Sequence, residues 1–180
     1  MTTSTSLGAV KSVGMRELEL TLASASDAEE IAELRNKVAA DLAGKSGSRD
    51  GGRRTTARGV LYDLRHGHIA IARHKGGIVA SLVLVKKKPW AIDVSYFTPV
   101  KSQFYVLNMN VDPALQRRGI GSRLMAFTKE TAKLRGVDAI RLDAFENSPW
   151  AVAFYPACGF AERGRTVFRT ARLVYFECLL

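Results

Sequence analysis

The sequence predicts one mixed α/β (α+β) domain with helices on both faces of its sheet. Three observations carry that prediction. The chain has 180 residues, a length that suits a single domain with a real core. Two β-rich runs flank Lys75-Gly76-Gly77 and read as a hairpin, which brings antiparallel pairing. Later, strand-like, helical and strand-like runs follow one another from Phe104 to Ala144. The domain is assigned to residues 15–180, and the Ser/Thr-rich residues 1–14 to a flexible N-terminal tail.

Taken in order, Arg16 to Ala23 alternates through Leu18, Leu20 and Leu22 and reads as a strand. Ser26, with Glu29 three residues on, has the pattern of a capping box. Ile31, Leu34, Val38 and Leu42 then fall at helical spacing, giving a first helix to about Ala43. Gly44 to Thr56 reads as a loop, and a short helix follows over Ala57 to Arg65 with Gly67 as its stop. The hairpin strands are His68 to His74 and Ile78 to Val85. Pro89 breaks the chain, and Ile92 to Phe97 is a strand or an extended loop. Phe104 to Val111 is a strand and Ser122 to Arg135 a helix, with Leu124, Thr128, Thr131 and Ala132 inward and Gly136 as its stop. Asp138 to Ala144 is a strand and Ala151 to Cys158 a short helix. Thr166 to Cys178 supplies one or two last strands.

Composition removes several function classes. No run of about 18 apolar residues appears, so no transmembrane helix is expected. The first residues lack the apolar centre of a secretory signal. Cys158 and Cys178 match no zinc or redox spacing and read as reduced thiols of a cytoplasmic protein. His66, His68 and His74 have no carboxylate or cysteine completing a metal spacing, so no metal is expected. Gly44-Lys45-Ser46 imitates the end of a phosphate loop. The motif needs a glycine five places before its lysine's glycine; Ala39 stands there, and the tripeptide follows a helix.

The net charge of +10 calls for an anionic partner. Lys86-Lys87-Lys88 is too short to mark a nucleic-acid face, and no basic face studded with aromatics accompanies it. A better place for an anion is VDPALQRRGIGSRLM, residues 111–125, where a strand gives way to a helix. Free amides and the dipole at a helix N-terminus attract anions. Glycine lets the backbone come close to a ligand oxygen, and Arg117 and Arg118 add charge. Gly119-x-Gly121 lacks the third glycine of a dinucleotide fingerprint. A plain strand–turn–helix and a coenzyme A diphosphate site remain as readings.

Gln116-Arg117-Arg118-Gly119-Ile120-Gly121 resembles the Q/R-x-x-G-x-G/A signature of the GNAT-type N-acetyltransferases. A second segment, Asn147-Ser148-Pro149-Trp150-Ala151 through Phe154-Tyr155 to Cys158-Gly159-Phe160, is similar to that family's N-x-x-A-x-x-x-Y-x-x-x-G-F. The resemblance implies a mixed, largely antiparallel sheet, splayed after its fourth strand into a cofactor cleft. It implies acetyl-CoA as the acyl donor, with Met109, Asn110 and Val111 along the pantetheine. The turn Gln116, Arg117, Arg118, Gly119, Ile120, Gly121 and Ser122 would lie at the pyrophosphate. The family's asparagine position falls on Ser148, so either Asn147 or Ser148 is expected to hold the pantetheine.

The family's chemistry is direct acetyl transfer to an amine. A free amine with a pKa of about 10 must lose its proton, and the departing thiolate must gain one. The resemblance puts the general acid at Tyr155, against the alternative of a packed tyrosine. For the base, Asp143, Glu146 and a water chain stay open. A CoA-binding regulatory module without catalysis is the other reading. The acceptor, a small-molecule or peptide amine, is not specified. A membrane partner is not expected, and self-association as a homodimer is left open.

Overall fold

A computed structural model describes residues 17–46 and 54–180. The expected tail at 1–14, the start of the first strand at Arg16 and much of the 44–56 loop lie outside the described residues. Seven strands form one sheet in the order β1-β2-β3-β4-β5-β7-β6. They are β1 (Leu18–Leu22), β2 (Gly67–His74), β3 (Gly77–Val85), β4 (Gln103–Val111), β5 (Ala139–Phe145), β6 (Ala161–Phe168) and β7 (Ala171–Leu179). Among the described residues only the β4–β5 pair is parallel, so the sheet is mixed and largely antiparallel as expected. Among the described residues four α-helices accompany it: α1 (Ala28–Ser46), α2 (Ala57–His66), α3 (Ile120–Leu134) and α4 (Pro149–Ala157).

Strand alternation splits the core in two. Ala70, Ala72, Leu82, Leu84, Phe104 and Val106 face α3 and α4. Ile69, Ile71, Ile78 and Val83 face α1 and α2. Helices therefore cover both faces. The β2–β3 hairpin closes on two residues, Lys75 (φ 51°) and Gly76 (φ 83°), which both take the left-handed conformation that a tight hairpin turn needs.

Several boundaries differ from expectation, each for a local reason. The cap of the first helical segment is Ser24, not Ser26: Asp27 Oδ2 accepts the Ser24 N–H at 2.8 Å, and a 3-10 turn over Ala25–Asp27 leads into α1. Helix α1 then continues through Gly44 to Ser46, and Leu42 is 40% exposed, not inward. Gly67 ends α2 in an extended, not left-handed, conformation. It must be glycine because a Cβ there would lie 2.2 Å from the Leu84 carbonyl oxygen. Residues 92–97 form no strand. Asp93 caps a 3-10 turn over Val94–Tyr96 by accepting from Ser95 N. Helix α3 starts at Ile120, two residues earlier than expected, and α4 starts at Pro149. Two separate final strands are present, with β6 starting at Ala161 rather than Thr166.

Candidate functional site

The sheet opens between β4 and β5. Their pairing is confined to Gln103–Tyr105 against Ala139–Arg141. Beyond it β4 stays with β3 while β5 stays with β7 to Phe145, so the two neighbours part. A bulge marks the parting: Leu82 of β3 faces both Asn108 and Met109 of β4. Asn108 takes a left-handed φ of 50°, and its carbonyl accepts from Asn110 Nδ2 at 2.6 Å. Asp112 N–H donates to Val79 O, so by alternation Val111 turns its backbone to the opened side. There the Val111 carbonyl accepts from Gln116 Nε2 at 3.3 Å. Gln116 thus shapes the turn that follows β4.

That turn ends at the N-terminus of α3. Arg117 (φ 58°) and Gly119 (φ 79°) are both left-handed, and Arg117, Arg118 and Gly119 are exposed. Gly119 is the N-cap and supplies no side chain to the first-turn amides of Ile120, Gly121 and Ser122. No acidic residue occupies that first turn. The result is a set of helix-terminal amides with two cations beside them, the arrangement that binds anions. Gly121 has a further reason to be glycine. A Cβ there would meet Met109 Cε and Phe154 Cζ, each at 3.3 Å. Its missing side chain therefore lets α3 close on β4 and α4, in addition to any approach of a ligand.

Helix α4 brings the second motif to this cleft. Tyr155 is held by ring contacts with Phe154 (5.3 Å), Phe160 (5.9 Å) and Phe176 (5.5 Å). Burial, with lesser contributions from the charges of Asp143 and Cys158, pushes its pKa up to about 12. The phenol therefore keeps its proton at working pH. Ser148 is the N-cap of α4 and its carbonyl accepts from Ala151 N and Val152 N. Its Oγ is buried and has no hydrogen-bond partner among the described residues, whereas Asn147 is exposed. A buried hydroxyl without a partner is costly unless water or another polar group meets it.

The two carboxylates have opposite environments. Asp143 stands on β5 opposite Tyr175 of β7, on the face away from Ile140, Leu142 and Ala144. It is half-buried, no ion pair engages it among the described residues, and burial pushes its pKa up. Glu146 is clamped by Arg165 Nη1 at 2.8 Å and Arg172 Nε at 2.7 Å. Those bonds hold its carboxyl below the usual range, which weakens it as a base. The raised Asp143 pKa has a stability consequence. The folded state binds the proton more tightly than the unfolded chain, so stability is lost as pH rises from the ordinary aspartate range through the raised value. Asp143→Asn should therefore raise Tm at pH 7. The gain should vanish below about pH 3.5. A thermal melt series across pH reads it, and equal melts at pH 7 would contradict it.

One group near the site escaped the sequence reading. Glu177 of β7 is 1% exposed and accepts from Arg141 Nε (3.0 Å), Arg163 Nε (2.8 Å) and Thr98 N (3.2 Å). Arg141 Nη2 also donates to Thr98 O, and its guanidinium lies 5.0 Å from the Phe97 ring. Nearby, Tyr175 OH accepts from Asp93 N and donates to Ala91 O. Two β7 side chains thus pin residues 91–98 beside Asp143. The signal was legible: a lone glutamate inside the apolar run LVYFECL.

Comparisons with known proteins agree with this architecture. The sequence matches the Acetyltransferase (GNAT) family over residues 35–160. A search of curated proteins finds no match. Among solved structures, YncA of Salmonella typhimurium, held with acetyl-CoA, superposes with a TM-score of 0.68 at 15% identity, covering 91% of this chain and 94% of that one. The ribosomal-protein-alanine N-acetyltransferase of Brucella melitensis gives 0.71 at 17% identity, covering 90% and 99%. The PaiA N-acetyltransferase of Thermoplasma acidophilum, in complex with coenzyme A, gives 0.70 at 13%, covering 88% and 98%. At these identities the likeness is one of fold. No helix among the described residues is long and apolar enough to cross a membrane.

Proposed function

The chain belongs to the GNAT acetyltransferase family, and on that premise we propose that it moves an acetyl group directly from acetyl-CoA to a primary amine. The observation that carries the reading is the β4–β5 opening, which leads to uncapped α3 amides flanked by Arg117 and Arg118. The residues present fit coenzyme A. Ser148 Oγ is a buried hydroxyl in need of a partner, and Gly119 holds the turn in a conformation that a side chain resists. The pyrophosphate would be held by the amides of Gly119 to Ser122, and the pantetheine by Ser148 and the β4 edge at Met109 to Val111. Asn147, being exposed, is the weaker of the two motif candidates.

When bound, acetyl-CoA supplies an activated thioester. The chain's own residues orient it and handle protons. Asp143 is the base we favour, because its carboxyl is half-buried, carries no ion pair among the described residues and has a raised pKa. Glu146 is committed to two arginines. Tyr155 keeps a proton to offer the departing sulfur. A cytoplasmic setting accords with two free thiols.

The test is calorimetric titration with acetyl-CoA and CoA, with NAD as control. Saturable binding of the first two and none of NAD is the expected result. Gly119→Val should weaken CoA binding by about tenfold, since a left-handed L-residue costs roughly 1–2 kcal/mol. Unchanged affinity in that variant would remove the turn from the site, and no CoA binding to the wild type would remove the whole reading.

A further inference from the structure

The β4 bulge holds a backbone outlier at the mouth of the cleft. Among the described residues, Lys75, Asn108, Arg117 and Arg169 are the non-glycine residues with positive φ. Three of them sit in turns, and Asn108 alone lies within a strand. A left-handed residue inside a strand is strained unless it is glycine, and it persists only where its surroundings hold it.

Asn110 supplies that hold. Its Nδ2 donates to the Asn108 carbonyl at 2.6 Å, two residues back along the same strand. The usual partner for such a side chain lies across the sheet. Here Ser81 of β3 stands opposite Asn110, yet the buried Ser81 Oγ has no hydrogen-bond partner among the described residues. The Asn110 amide turns along its own strand to the bulge, not across to β3.

One peptide plane carries this bond to the cleft. The Asn108 carbonyl and the Met109 N–H belong to a single trans peptide, so they point in opposite directions. Fixing the oxygen fixes the N–H. Alternation gives its direction: Asp112 N–H donates to Val79 O, which turns the backbone of Asn110 toward β3 and that of Met109, like Val111, toward the opened side. On that side β5 has parted from β4, so no strand pairs with Met109 there.

We propose that Asn110 is a positioning residue for acetyl transfer: by holding the Asn108 carbonyl it aims the Met109 N–H at the thioester carbonyl of acetyl-CoA. This role rests on the reading of acetyl-CoA as the donor. The N–H donates to the thioester oxygen and keeps its own proton throughout. Its bond strengthens as the amine adds to the carbonyl carbon and charge gathers on that oxygen, and it weakens again when the C–S bond breaks.

The test compares acetyl-CoA with CoA, which has no acyl carbonyl, on the full-length protein. In the free protein, the three-bond HN–Hα coupling of Asn108 is read by NMR and should change in Asn110→Ala as φ leaves the left-handed region. With acetyl-CoA carrying carbon-13 at its carbonyl, the bound resonance should lie downfield of the free one in the wild type and move back in the variant. Acetyl-CoA binding should weaken about fivefold, the worth of one neutral hydrogen bond, while CoA binding stays within about twofold. Adding Asn108→Gly to Asn110→Ala should restore most of the loss, because glycine takes the left-handed conformation without a lock; a side chain that merely packed or touched the pantetheine would gain nothing from it. An unchanged Asn108 coupling, an unmoved carbonyl resonance or equal weakening of both ligands overturns the assignment. No binding of either ligand by the wild type is a different failure, which removes the acetyl-CoA reading and this role with it.

Discussion

Tyr155→Phe is expected to lower kcat about 10²-fold, the usual contribution of one positioned proton donor, while acetyl-CoA affinity stays within about twofold. Phenylalanine keeps the ring contacts with Phe154, Phe160 and Phe176, so Tm should hardly move. A loss of rate without a loss of stability separates a chemical role from packing. The raised pKa of about 12 refines what that role is. A thiol resembling cysteine titrates near 8.5, so complete proton transfer from Tyr155 runs uphill by roughly 3.5 units, or about 5 kcal/mol. The phenol then serves best as a hydrogen-bond donor that stabilises charge growing on the sulfur. Two results follow. The pH–rate profile should show no limb from Tyr155 below about pH 11, and the rising limb should belong to the base and vanish in Asp143→Asn. Full turnover by the Phe variant, with chemistry rate-limiting, would end the assignment.

Much of this site was legible because its two motifs are local. Gly119 and Gly121 sit in a run whose conformation depends on neighbours in sequence, and Tyr155 rides a short helix fixed by Gly159 and Phe160. The hairpin was legible for the same reason, since Lys75-Gly76 turns on itself. What escaped was non-local. The choice between Asn147 and Ser148 needed burial, because only enclosure makes the Ser148 hydroxyl an orphan. The choice between Asp143 and Glu146 needed the arginines that reach Glu146 from β6 and β7. Spacing gave only one reason for Gly121, a close approach to a ligand; a second, that Met109 and Phe154 stand 3.3 Å from where its Cβ would be, needed the packing. The strand carboxylate that an arginine partners in the interior is Glu177, not Asp143. The 3-10 turn over residues 94–96 went unseen because Asp93 forms it with Ser95 while Tyr175 anchors it from 82 residues away.

Glu177→Ala should destabilise the fold by about 3–5 kcal/mol, the range for removing one partner of a buried ion pair. That corresponds to a Tm lower by about 10 °C in a chain of this size. The reason is that two guanidinium groups, of which Arg141 is 5% exposed, would remain with no carboxylate between them. Burial by itself would raise the pKa of Glu177, but hydrogen bonds from Thr98, Arg163 and Arg141 outweigh it and hold the carboxyl below its ordinary range. A depressed acid contributes stability above its unfolded pKa and loses it as pH falls through the folded value. The Tm gap between wild type and Glu177→Gln should therefore be full at pH 7 and close in acid below about pH 4. Glu177→Ala should also loosen residues 91–98, because Thr98 loses the acceptor of its N–H while Tyr175 still holds Ala91 and Asp93. Amide exchange is expected to quicken from Thr98 backwards and to fade towards Asp93. Exchange unchanged at Thr98, or a Tm gap that widens in acid, would mean that Glu177 does not anchor this segment beside Asp143.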